Sequence, residues 1–377
     1  MKVVHVITGL EQGGAEAMLE KLVLTGRRLN PEIEQRVVNL GPPGVVGRRL
    51  EGSGVTVDSL GMDFSLRSLG RLRALSSRLR PSPGGTVVQT WLWHADLLGG
   101  LCARASGNPR VVWNLRNSMP AHAATKRTSR AVARVCGWLS RWVPAKIVCN
   151  SQAALRAHVA LGYFRGKCLV IPNGFDLRTF VSSAAARAEV RGEWAAQPGQ
   201  LLVGMVARVD PLKDHATFIK AAKRVAAGIP QARFVLVGEG VSRDAGIQAL
   251  LSDTGLRSRF ILEERREDVA RLMSALDLFC LASKSEGFPN VLGEAMACAT
   301  PAVATDVGDV REILRNSRLV ARAGDPESLA TCITYVLELS DAERRTLGLR
   351  QRQEIEARFD IEPVWNSYRA LYASVSA

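Results

Sequence analysis

The sequence predicts an α/β protein of two doubly wound, Rossmann-like domains, each built on a parallel sheet. Strand-length apolar runs alternate with helical segments along the chain, which is the pattern of parallel strands joined by helices. The length of 377 residues exceeds what a single core usually supports, and so favours two domains. Between residues 176 and 200 the alternation is interrupted by Ser182-Ser183, an Ala-rich charged segment and Pro198-Gly199, which mark the domain boundary.

The first half contains seven short apolar segments that predict strands. They are Lys2–Thr8, Arg36–Leu40, Val55–Ser59, Thr86–Thr90, Val111–Leu115, Lys146–Ser151 and Lys167–Pro172. Helical periodicity follows Gly13-Gly14 and recurs in Leu66–Leu79 and Lys126–Val143. In Leu66–Leu79 the leucines repeat at helical spacing and the arginines lie elsewhere, so we expect a helix with a solvated, charged face.

The second half repeats this alternation. It contains predicted strands and helices at Leu201–Ala207, Ala216–Val225, Arg233–Val237, Phe260–Leu262, Ala330–Leu339 and Val364–Tyr372. The stretch Phe279–Thr305 is interpreted as strand, loop, helix and strand, with Asn290 as the N-cap of a buried helix. The start of that helix would offer unpaired backbone N–H groups to the loop Glu286–Pro289, an arrangement that attracts phosphate.

Two carboxylates flank this predicted helix start. Glu286 lies in the loop and Glu294 lies about one turn into the helix, so one can reach a sugar and the other a ribose. The alternative is that Glu286 is a solvated loop charge and that Glu294 is a surface residue on a core helix, because Glu is usually exposed.

Two basic residues indicate a second part of a site. Arg208 ends a predicted strand, and Lys213 lies in the turn before the next helix, which Asp210 or Asp214 would start. Arginine makes planar, multidentate hydrogen bonds to phosphate, and lysine adds a compact charge, so the pair predicts a diphosphate site. The alternative is a pair of exposed basic residues in an ordinary turn.

Gly13, Gly14 and His94 are candidates in the first half. The two glycines precede a helix, so the backbone can approach a ligand closely and the helix start can face a phosphate. A tight turn is the alternative, and the spacing is not the Gly-x-Gly-x-x-Gly fingerprint of simple NAD enzymes. His94 follows a predicted strand, at the sheet edge where ligands bind, although a lone His among apolar residues also fits a core position.

The formal charge of +14 lies entirely in the first half. Residues 1–180 contain 25 Lys and Arg against 10 Asp and Glu, a net +15, and residues 181–377 contain 25 against 26, a net −1. Such a one-sided field predicts an anionic partner, but the sequence has no Cys/His finger, RNP-like aromatic sequence or basic tail for nucleic acid. The basic helix Lys126–Val143, with Trp138 and Trp142, fits either a membrane-interface helix or core packing of its tryptophans.

Cysteine usage and hydropathy indicate in which cellular compartment the protein is expected. The seven cysteines form no Cys-x-x-Cys pair and several lie in apolar runs, so buried reduced thiols are expected rather than disulfides or zinc ligands. No run reaches the ~20 apolar residues of a membrane span. The start of the sequence predicts a strand rather than a signal peptide, so a cytoplasmic protein is expected.

The stretch Glu286-Gly287-Phe288-Pro289-Asn290, followed by Val291-Leu292-Gly293-Glu294, resembles the signature of family four of the retaining GT-B glycosyltransferases. Other motifs of that family occur in the expected order: Gly13-Gly14-Ala15-Glu16, His94, Ile171-Pro172-Asn173-Gly174, Arg208, Lys213 and Gly238-Glu239-Gly240. The family usually has a Gly in a loop near the nucleotide base, where this chain has Glu263-Glu264. Contacts to the base are therefore not carried over.

The resemblance implies a GT-B fold, with domains 1–178 and 179–360 facing each other across a cleft and a C-terminal helix, 361–377, packing back on the first. It implies retaining transfer of a hexosyl group from a nucleoside diphosphate sugar to an acceptor hydroxyl. Arg208 and Lys213 would hold the diphosphate, Glu286 would contact the sugar, and Glu294 would bind the ribose. The remaining expected site residues are His94, Gly13, Gly14, Gly287, Phe288, Pro289, Asn290, Val291 and Leu292.

No Asp-x-Asp sequence occurs, so no metal is expected, and no cofactor beyond the nucleotide-sugar co-substrate. The resemblance favours a glycan or lipid-linked glycan acceptor in lipopolysaccharide, capsule or exopolysaccharide synthesis. The basic first half adds an expectation of peripheral association with an anionic membrane, on the inner face of the plasma membrane. A nucleotide-sugar epimerase of GT-B-like fold and a non-catalytic sugar-nucleotide binding protein are the alternatives, and the Glu pair favours the transferase.

Overall fold

The structure, a computed structural model, describes residues 1–62, 69–116 and 127–376. The chain divides into two compact units: unit 1 comprises residues 1–174 and 361–377, and unit 2 comprises residues 175–360. The predicted boundary at residue 178 lies slightly beyond the observed one at residue 174. The predicted helix starts at Leu66 and Lys126 lie outside the described residues.

Unit 1 contains a seven-stranded parallel sheet in the order β3-β2-β1-β4-β5-β6-β7. The strands are β1 Lys2–Ile7, β2 Glu34–Asn39, β3 Thr56–Ser59, β4 Thr86–Trp91, β5 Val111–Leu115, β6 Lys146–Cys149 and β7 Cys168–Val170. All seven predicted strands are present, with ends that shift by a few residues. Apolar side chains alternate between the two sheet faces and form two core clusters, because helices cover both faces.

The helices of this unit follow the strands in sequence. They are α1 Gly14–Leu29, α2 Val45–Gly52, α3 Leu69–Arg78, α4 Trp93–Ala105, α5 Arg127–Leu139 and α6 Gln152–Ala160. The helix predicted to reach Val143 ends at Leu139, so Trp142 lies in the turn that follows it.

Unit 2 contains a six-stranded parallel sheet in the order β10-β9-β8-β11-β12-β13. The strands are β8 Leu201–Val206, β9 Ala232–Val237, β10 Phe260–Glu263, β11 Leu278–Leu281, β12 Ala302–Thr305 and β13 Val320–Ala321. The helices are α7 Ala184–Glu193, α8 His215–Gly228, α9 Ala245–Thr254, α10 Val269–Ala275, α11 Asn290–Ala297, α12 Val310–Leu314, α13 Pro326–Leu337 and α14 Asp341–Phe359. The segment 176–200, expected to mark the domain boundary, lies within unit 2 and contains α7.

The last helix, α15 Ile361–Ser376, belongs to unit 1. It buries Trp365, Tyr368 and Tyr372 completely. Tyr368 Oη accepts a hydrogen bond from Asn114 in β5, at 3.2 Å, and Tyr372 Oη bonds to Gln89 in β4. The C-terminal segment thus supplies three large aromatic side chains to the core of the N-terminal sheet.

In each sheet the strand order reverses at one place, between β1 and β4 in unit 1 and between β8 and β11 in unit 2. Loops that leave neighbouring strands at such a reversal diverge to opposite sheet faces and leave a crevice at the carboxyl ends, where ligands of doubly wound folds bind. None of the helices in the described ranges is long and apolar enough to cross a membrane.

Candidate functional site

The candidate site of unit 2 lies where two loops meet at the carboxyl ends of β8 and β11. These strands are neighbours at the reversal of strand order. The loop after β8 contains Arg208 and Lys213, and the loop after β11 contains Glu286. The backbone N–H of Lys284 donates to the carbonyl of Leu212 over 2.8 Å, so the two loops are joined directly.

Glu286 is largely buried, with 12% of its side chain exposed. Its Oε1 accepts hydrogen bonds from Lys213 Nζ at 2.6 Å and from Ser283 Oγ at 2.7 Å. Ser283 is fully buried, and its carbonyl accepts a bond of 2.6 Å from Thr305 Oγ1 in β12. The alternative of a solvated loop charge is therefore wrong, because the carboxylate is fixed by buried groups and contacts the lysine expected at the site.

Asp214 connects the same two loops and starts α8. Its carboxylate accepts hydrogen bonds from the N–H and hydroxyl of Thr217, at 3.3 and 2.6 Å, so Asp214 is the N-cap that the sequence predicted as one of two candidates. Lys284 Nζ lies 3.2 Å from Asp214 Oδ1. Residues 213 and 214 thus pair with residues 286 and 284, and these two ion pairs tie the loops together.

Arg208 is more exposed than Lys213, at 62% of its side chain against 25%. Its guanidinium donates to Asp210 Oδ2 over 3.0 Å. Burial raises the pKa of Asp210, but hydrogen bonds from Leu212 N–H and Arg208 and the charges of Arg208 and Lys213 outweigh this and lower the pKa overall. Both basic residues therefore act on one carboxylate in this loop, and the Arg208 side chain is accessible to a ligand.

The helix after the Glu286 loop begins at Asn290, with Pro289 in the preceding position and no side-chain cap. The prediction of Asn290 as the N-cap is thus wrong by one residue. Phe288 is buried against Phe175 and Phe359, with ring centroids 6.1 and 5.5 Å away, and Leu292 is fully buried. Side chains of Phe288 and Leu292 therefore serve the core, and only their backbone groups are candidates for ligand contact.

The remaining predicted residues of this segment differ in burial. Glu294 is partly buried on the second turn of α11, and Gly287 and Val291 are also partly buried, whereas Pro289 is buried. Two glycines that contact this segment or its neighbours, Gly293 and Gly308, were not predicted as site residues. A Cβ on Gly293 would lie 2.1 Å from the ring of Phe175, and a Cβ on Gly308 would lie 2.6 Å from the carbonyl oxygens of Glu286 and Gly287.

Gly308 has a φ of 56°, in the left-handed region that favours glycine. It follows β12 and packs closely against the backbone carbonyls of the Glu286 loop. The signal in the sequence was Asp306-Val307-Gly308-Asp309, a turn directly after a strand.

In the loop after β10, the Glu264 carboxylate bonds to the loop that follows β9. Glu264, in the region where the resembling family usually has Gly, accepts hydrogen bonds from Gly240 N–H at 3.0 Å and Ser242 N–H at 3.2 Å, and from the Ser242 hydroxyl. These bonds lower the pKa of Glu264. The Glu264 carboxylate therefore occupies backbone donors of the Gly238-Glu239-Gly240 loop.

In unit 1, Gly13 precedes α1 and Gly14 is its first residue. A Cβ on Gly13 would lie 2.3 Å from Glu16 Oε2, so the glycine lets this carboxylate fold back over the helix start. Burial raises the pKa of Glu16, and the neighbouring backbone N–H groups of Glu16 and Ala15 and the charge of Arg116 oppose this shift without cancelling it. The Glu16 carboxylate therefore lies at the helix start that was expected to face a phosphate, and the ligand role of Gly13 and Gly14 stays a prediction.

His94 is the second residue of α4, directly beyond the carboxyl end of β4, as the sequence predicted. It is half-buried, and burial lowers its pKa below the ordinary value of 6.5, so the imidazole is neutral near pH 7. Leu92, the residue before α4, has a φ of 72°, which is strained for a residue with a Cβ. Such strain is common where a strand-to-helix turn serves a site.

Two family descriptions match the chain: Glycosyltransferase Family 4 over residues 13–179, and Glycosyl transferases group 1 over residues 200–339. Among curated relatives, the putative glycosyltransferase EpsF of Bacillus subtilis (strain 168) is 25% identical over 325 residues, 81% of this chain and 79% of that protein. An Escherichia coli protein, UDP-Gal:alpha-D-GlcNAc-diphosphoundecaprenol alpha-1,3-galactosyltransferase, is 27% identical over 239 residues, 61% of this chain and 60% of that protein.

Among solved structures, Anabaena Alr3699/HepE in complex with UDP and glucose superposes with a TM-score of 0.86 at 22% identity, over 99% of this chain and 100% of that chain. This likeness shows the fold, two Rossmann-like domains of GT-B type. Together the two family matches include Gly13, Gly14 and His94 in unit 1 and Arg208, Lys213, Glu286 and Glu294 in unit 2. The chain therefore belongs to the family-4 glycosyltransferases, glycosyl transferases group 1, and has their GT-B fold.

Proposed function

We propose that this glycosyltransferase moves a hexosyl group from a nucleoside diphosphate sugar to an acceptor hydroxyl, with retention at the anomeric carbon. The observation that carries the proposal is the contact of Lys213 with Glu286, 2.6 Å apart at the strand-order reversal of unit 2. This contact supports a site in which Lys213 would stabilise the leaving phosphate and the neighbouring Glu286 would contact the sugar.

Negative charge grows on the departing diphosphate during the transfer. Lys213 and the accessible Arg208 would stabilise that charge, assisted by the start of α11, which has no side-chain cap. Because a backbone hydrogen bond and two ion pairs join the two loops, the loop backbones need little reorganisation when charge develops, and only the ends of the basic side chains must turn. The diphosphate would compete with Glu286 for Lys213, which frees the carboxylate to accept hydrogen bonds from the sugar.

Ser283 keeps the Glu286 carboxylate in place when Lys213 turns to phosphate, because its hydroxyl is itself buried. Glu294 would accept hydrogen bonds from the ribose. From unit 1, neutral His94 and the backbone of Gly13 and Gly14 would contact the donor sugar. We assign no covalent nucleophile, and in the proposed front-face reaction the leaving phosphate helps to deprotonate the acceptor hydroxyl.

The proposed acceptor is a glycan or lipid-linked glycan of the cell envelope. The support comes from similar proteins, since the Escherichia coli relative is named for transfer to a diphosphoundecaprenol-linked sugar. A panel of diphosphate-lipid-linked and free saccharides, offered with UDP, GDP and ADP sugars, tests this class. Transfer only to free saccharides would contradict a lipid-linked acceptor and leave the transferase reaction standing.

The variants Arg208→Ala and Lys213→Ala test the proposed chemistry. Each should lower kcat by about a hundredfold or more, because one lost charge donor in such a site costs ~3 kcal/mol of transition-state stabilisation. The matched control is Lys220→Ala, which removes an exposed lysine from the solvent face of α8. Mass spectrometry of the product and its anomeric configuration by NMR give the readout.

Near-normal turnover in the double variant would rule out the proposed diphosphate site. An epimerase would instead convert the sugar nucleotide without consuming an acceptor, and an inverted product would contradict retention.

Metal independence is the second testable part of the proposal. The basic side chains would do the electrostatic work that a divalent ion does elsewhere, so activity should persist in excess EDTA. The measurement is product formation before and after chelation, with added Mg²⁺ or Mn²⁺ as the comparison. Loss of activity on chelation with recovery on either ion would contradict the metal-free reaction.

A further inference from the structure

Two tryptophans of unit 1 are exposed in a chain that buries its others. Trp138 and Trp142 are 69% and 55% exposed. The other five, Trp91, Trp93, Trp113, Trp194 and Trp365, are at most 7% exposed. The ring centroids of the exposed pair lie 5.4 Å apart in an edge arrangement, so the two rings form one apolar tip. Core packing of these tryptophans, one of two interpretations of the sequence, is therefore wrong.

The opposite face of α5 holds the helix in place. Cys136 is fully buried and its thiol donates to the Trp93 carbonyl over 3.5 Å. Gly137 packs so closely that a Cβ there would lie 3.1 Å from the Leu161 carbonyl oxygen. A helix fixed in this way presents its outer face, including Trp138, in one orientation.

That outer face is basic as well as aromatic. Arg127, Arg134 and Trp138 follow one another at intervals of seven and four residues, so they share one side of the helix. Arg130 lies beside them, and among the described residues no carboxylate pairs with Arg127, Arg130 or Arg134. We call Arg127, Arg130, Arg134, Trp138 and Trp142 the α5 face.

The sequence on both sides of the α5 face carries charge of one sign. Residues 97–175 contain twelve Lys and Arg and no Asp or Glu. Burial lowers the pKa of the nearby Lys167, and repulsion from Arg104 and Lys146 lowers it further. The Lys167 ammonium donates to the carbonyls of Arg141 and Pro144, which holds the turn that contains Trp142. The stretch of sequence that contains α5 is therefore basic throughout, and at least Arg104 and Lys146 lie close enough to Lys167 to repel it.

We propose that the α5 face docks the chain on an anionic lipid bilayer. Tryptophan rings prefer the boundary between headgroups and acyl chains, and basic side chains beside them bind anionic headgroups. A second copy of the chain fits less well, because a symmetric contact would place two basic faces against each other. Nucleic acid would explain the arginines but not a pair of edge-packed tryptophans on one helix. The proposal goes beyond sugar transfer and does not depend on it.

Vesicle co-sedimentation of the full chain tests the proposal. Binding should be strong to phosphatidylcholine vesicles that contain phosphatidylglycerol and weak to phosphatidylcholine alone. It should fall steeply as salt is raised toward ~0.5 M, because the Debye length shortens to a few ångströms. Quenching of tryptophan fluorescence by lipids brominated along the acyl chain should report insertion of the rings.

Two variants separate the contribution of the arginines to membrane binding from that of the tryptophans. Arg127→Gln with Arg130→Gln and Arg134→Gln should weaken partitioning about a hundredfold, since each basic residue at such a surface contributes about fivefold. Trp138→Ala with Trp142→Ala should abolish quenching, and exposed positions such as these leave folding intact. The matched control replaces Arg224, Arg345 and Arg350, exposed arginines of unit 2, by Gln and should bind like the parent.

Absence of binding to anionic vesicles at low salt would overturn the proposal, as would equal weakening by the control variant. Loss of vesicle binding on addition of duplex DNA, with quenching absent, would assign the α5 face to nucleic acid instead. A dimer in sedimentation that the tryptophan variant dissolves would assign it to a second copy.

Discussion

The backbone of Asp214 has a φ of 53°, in the left-handed region that residues with a Cβ adopt at a cost of about 1–2 kcal/mol. The helix cap to Thr217 and the ion pair with Lys284 offset that cost, because capping alone is worth about 1 kcal/mol. The turn directs the preceding residue, Lys213, toward Glu286. One strained residue therefore orients a side chain of the proposed site while it starts α8.

Two histidines in the core of unit 1 are expected to make the stability of the protein depend on pH. Burial lowers the pKa of His5 and of His158 from 6.5 to about 4. Each ring accepts an N–H from a tryptophan, His5 from Trp91 at 3.3 Å and His158 from Trp93 at 3.1 Å. Each ring is therefore neutral, because an imidazolium has no acceptor nitrogen.

The unfolded chain takes up these protons below pH 6.5, whereas the folded chain takes them up only near pH 4. The free energy of unfolding should thus be fully retained above pH 6.5 and fall as the pH drops to 4, by about 3 kcal/mol for each ring. Urea unfolding at several pH values measures it. The variants His5→Gln and His158→Gln should show shallower pH dependence despite lower stability, and an unchanged slope would contradict this assignment.

At the scale of elements, the site depends on loops supported by a glycine that has no ligand role. Gly308 lets the turn after β12 lie against the carbonyls of Glu286 and Gly287. Gly308→Ala should displace that loop and lower kcat at least tenfold. It should also lower the free energy of unfolding by more than the ~1 kcal/mol expected for Ala at positive φ, because the added Cβ meets the loop backbone.

Gly324 is the matched control for this substitution. It has a similar φ of 71°, but nothing lies within 4 Å of a Cβ placed there. Gly324→Ala should lower the melting temperature slightly and leave kcat unchanged. Equal kinetics of the two variants would mean that the Glu286 loop is not positioned by Gly308.

The strands were predictable because they are apolar runs bounded by polar and glycine-containing turns. Their parallel arrangement was predictable because they alternate with helices. The helix start at Asn290 was misplaced by one residue, since the buried Pro289 ends the loop where a polar cap was expected. The inward burial of Phe288 was not visible, because its partners Phe175 and Phe359 lie far away in sequence. The fold-back of Glu16 onto α1 was likewise hidden, because it depends on the space left by Gly13.

At the scale of the whole molecule, the two units differ in how the chain builds them. Unit 2 is one continuous segment, residues 175–360, with its own core. Unit 1 needs both ends of the sequence, because α15 contributes Trp365, Tyr368 and Tyr372 to its sheet. The basic charge lies in unit 1 and the paired loops lie in unit 2, so the proposed membrane-docking surface and the proposed diphosphate site belong to different units.

This division predicts that a fragment of residues 175–360 folds alone and binds a nucleoside diphosphate, whereas residues 1–174 do not fold without α15. Truncating a buried aromatic side chain costs ~3–5 kcal/mol, so the loss of three costs about as much as the whole usual stability of ~5–15 kcal/mol. Circular dichroism and thermal melting of both fragments test the first part. For the second, ligand at ~100 times its dissociation constant should stabilise the unit 2 fragment by ~2.7 kcal/mol. The same fragment with Lys213→Ala is the control, and equal stabilisation there would place the nucleotide away from the paired loops.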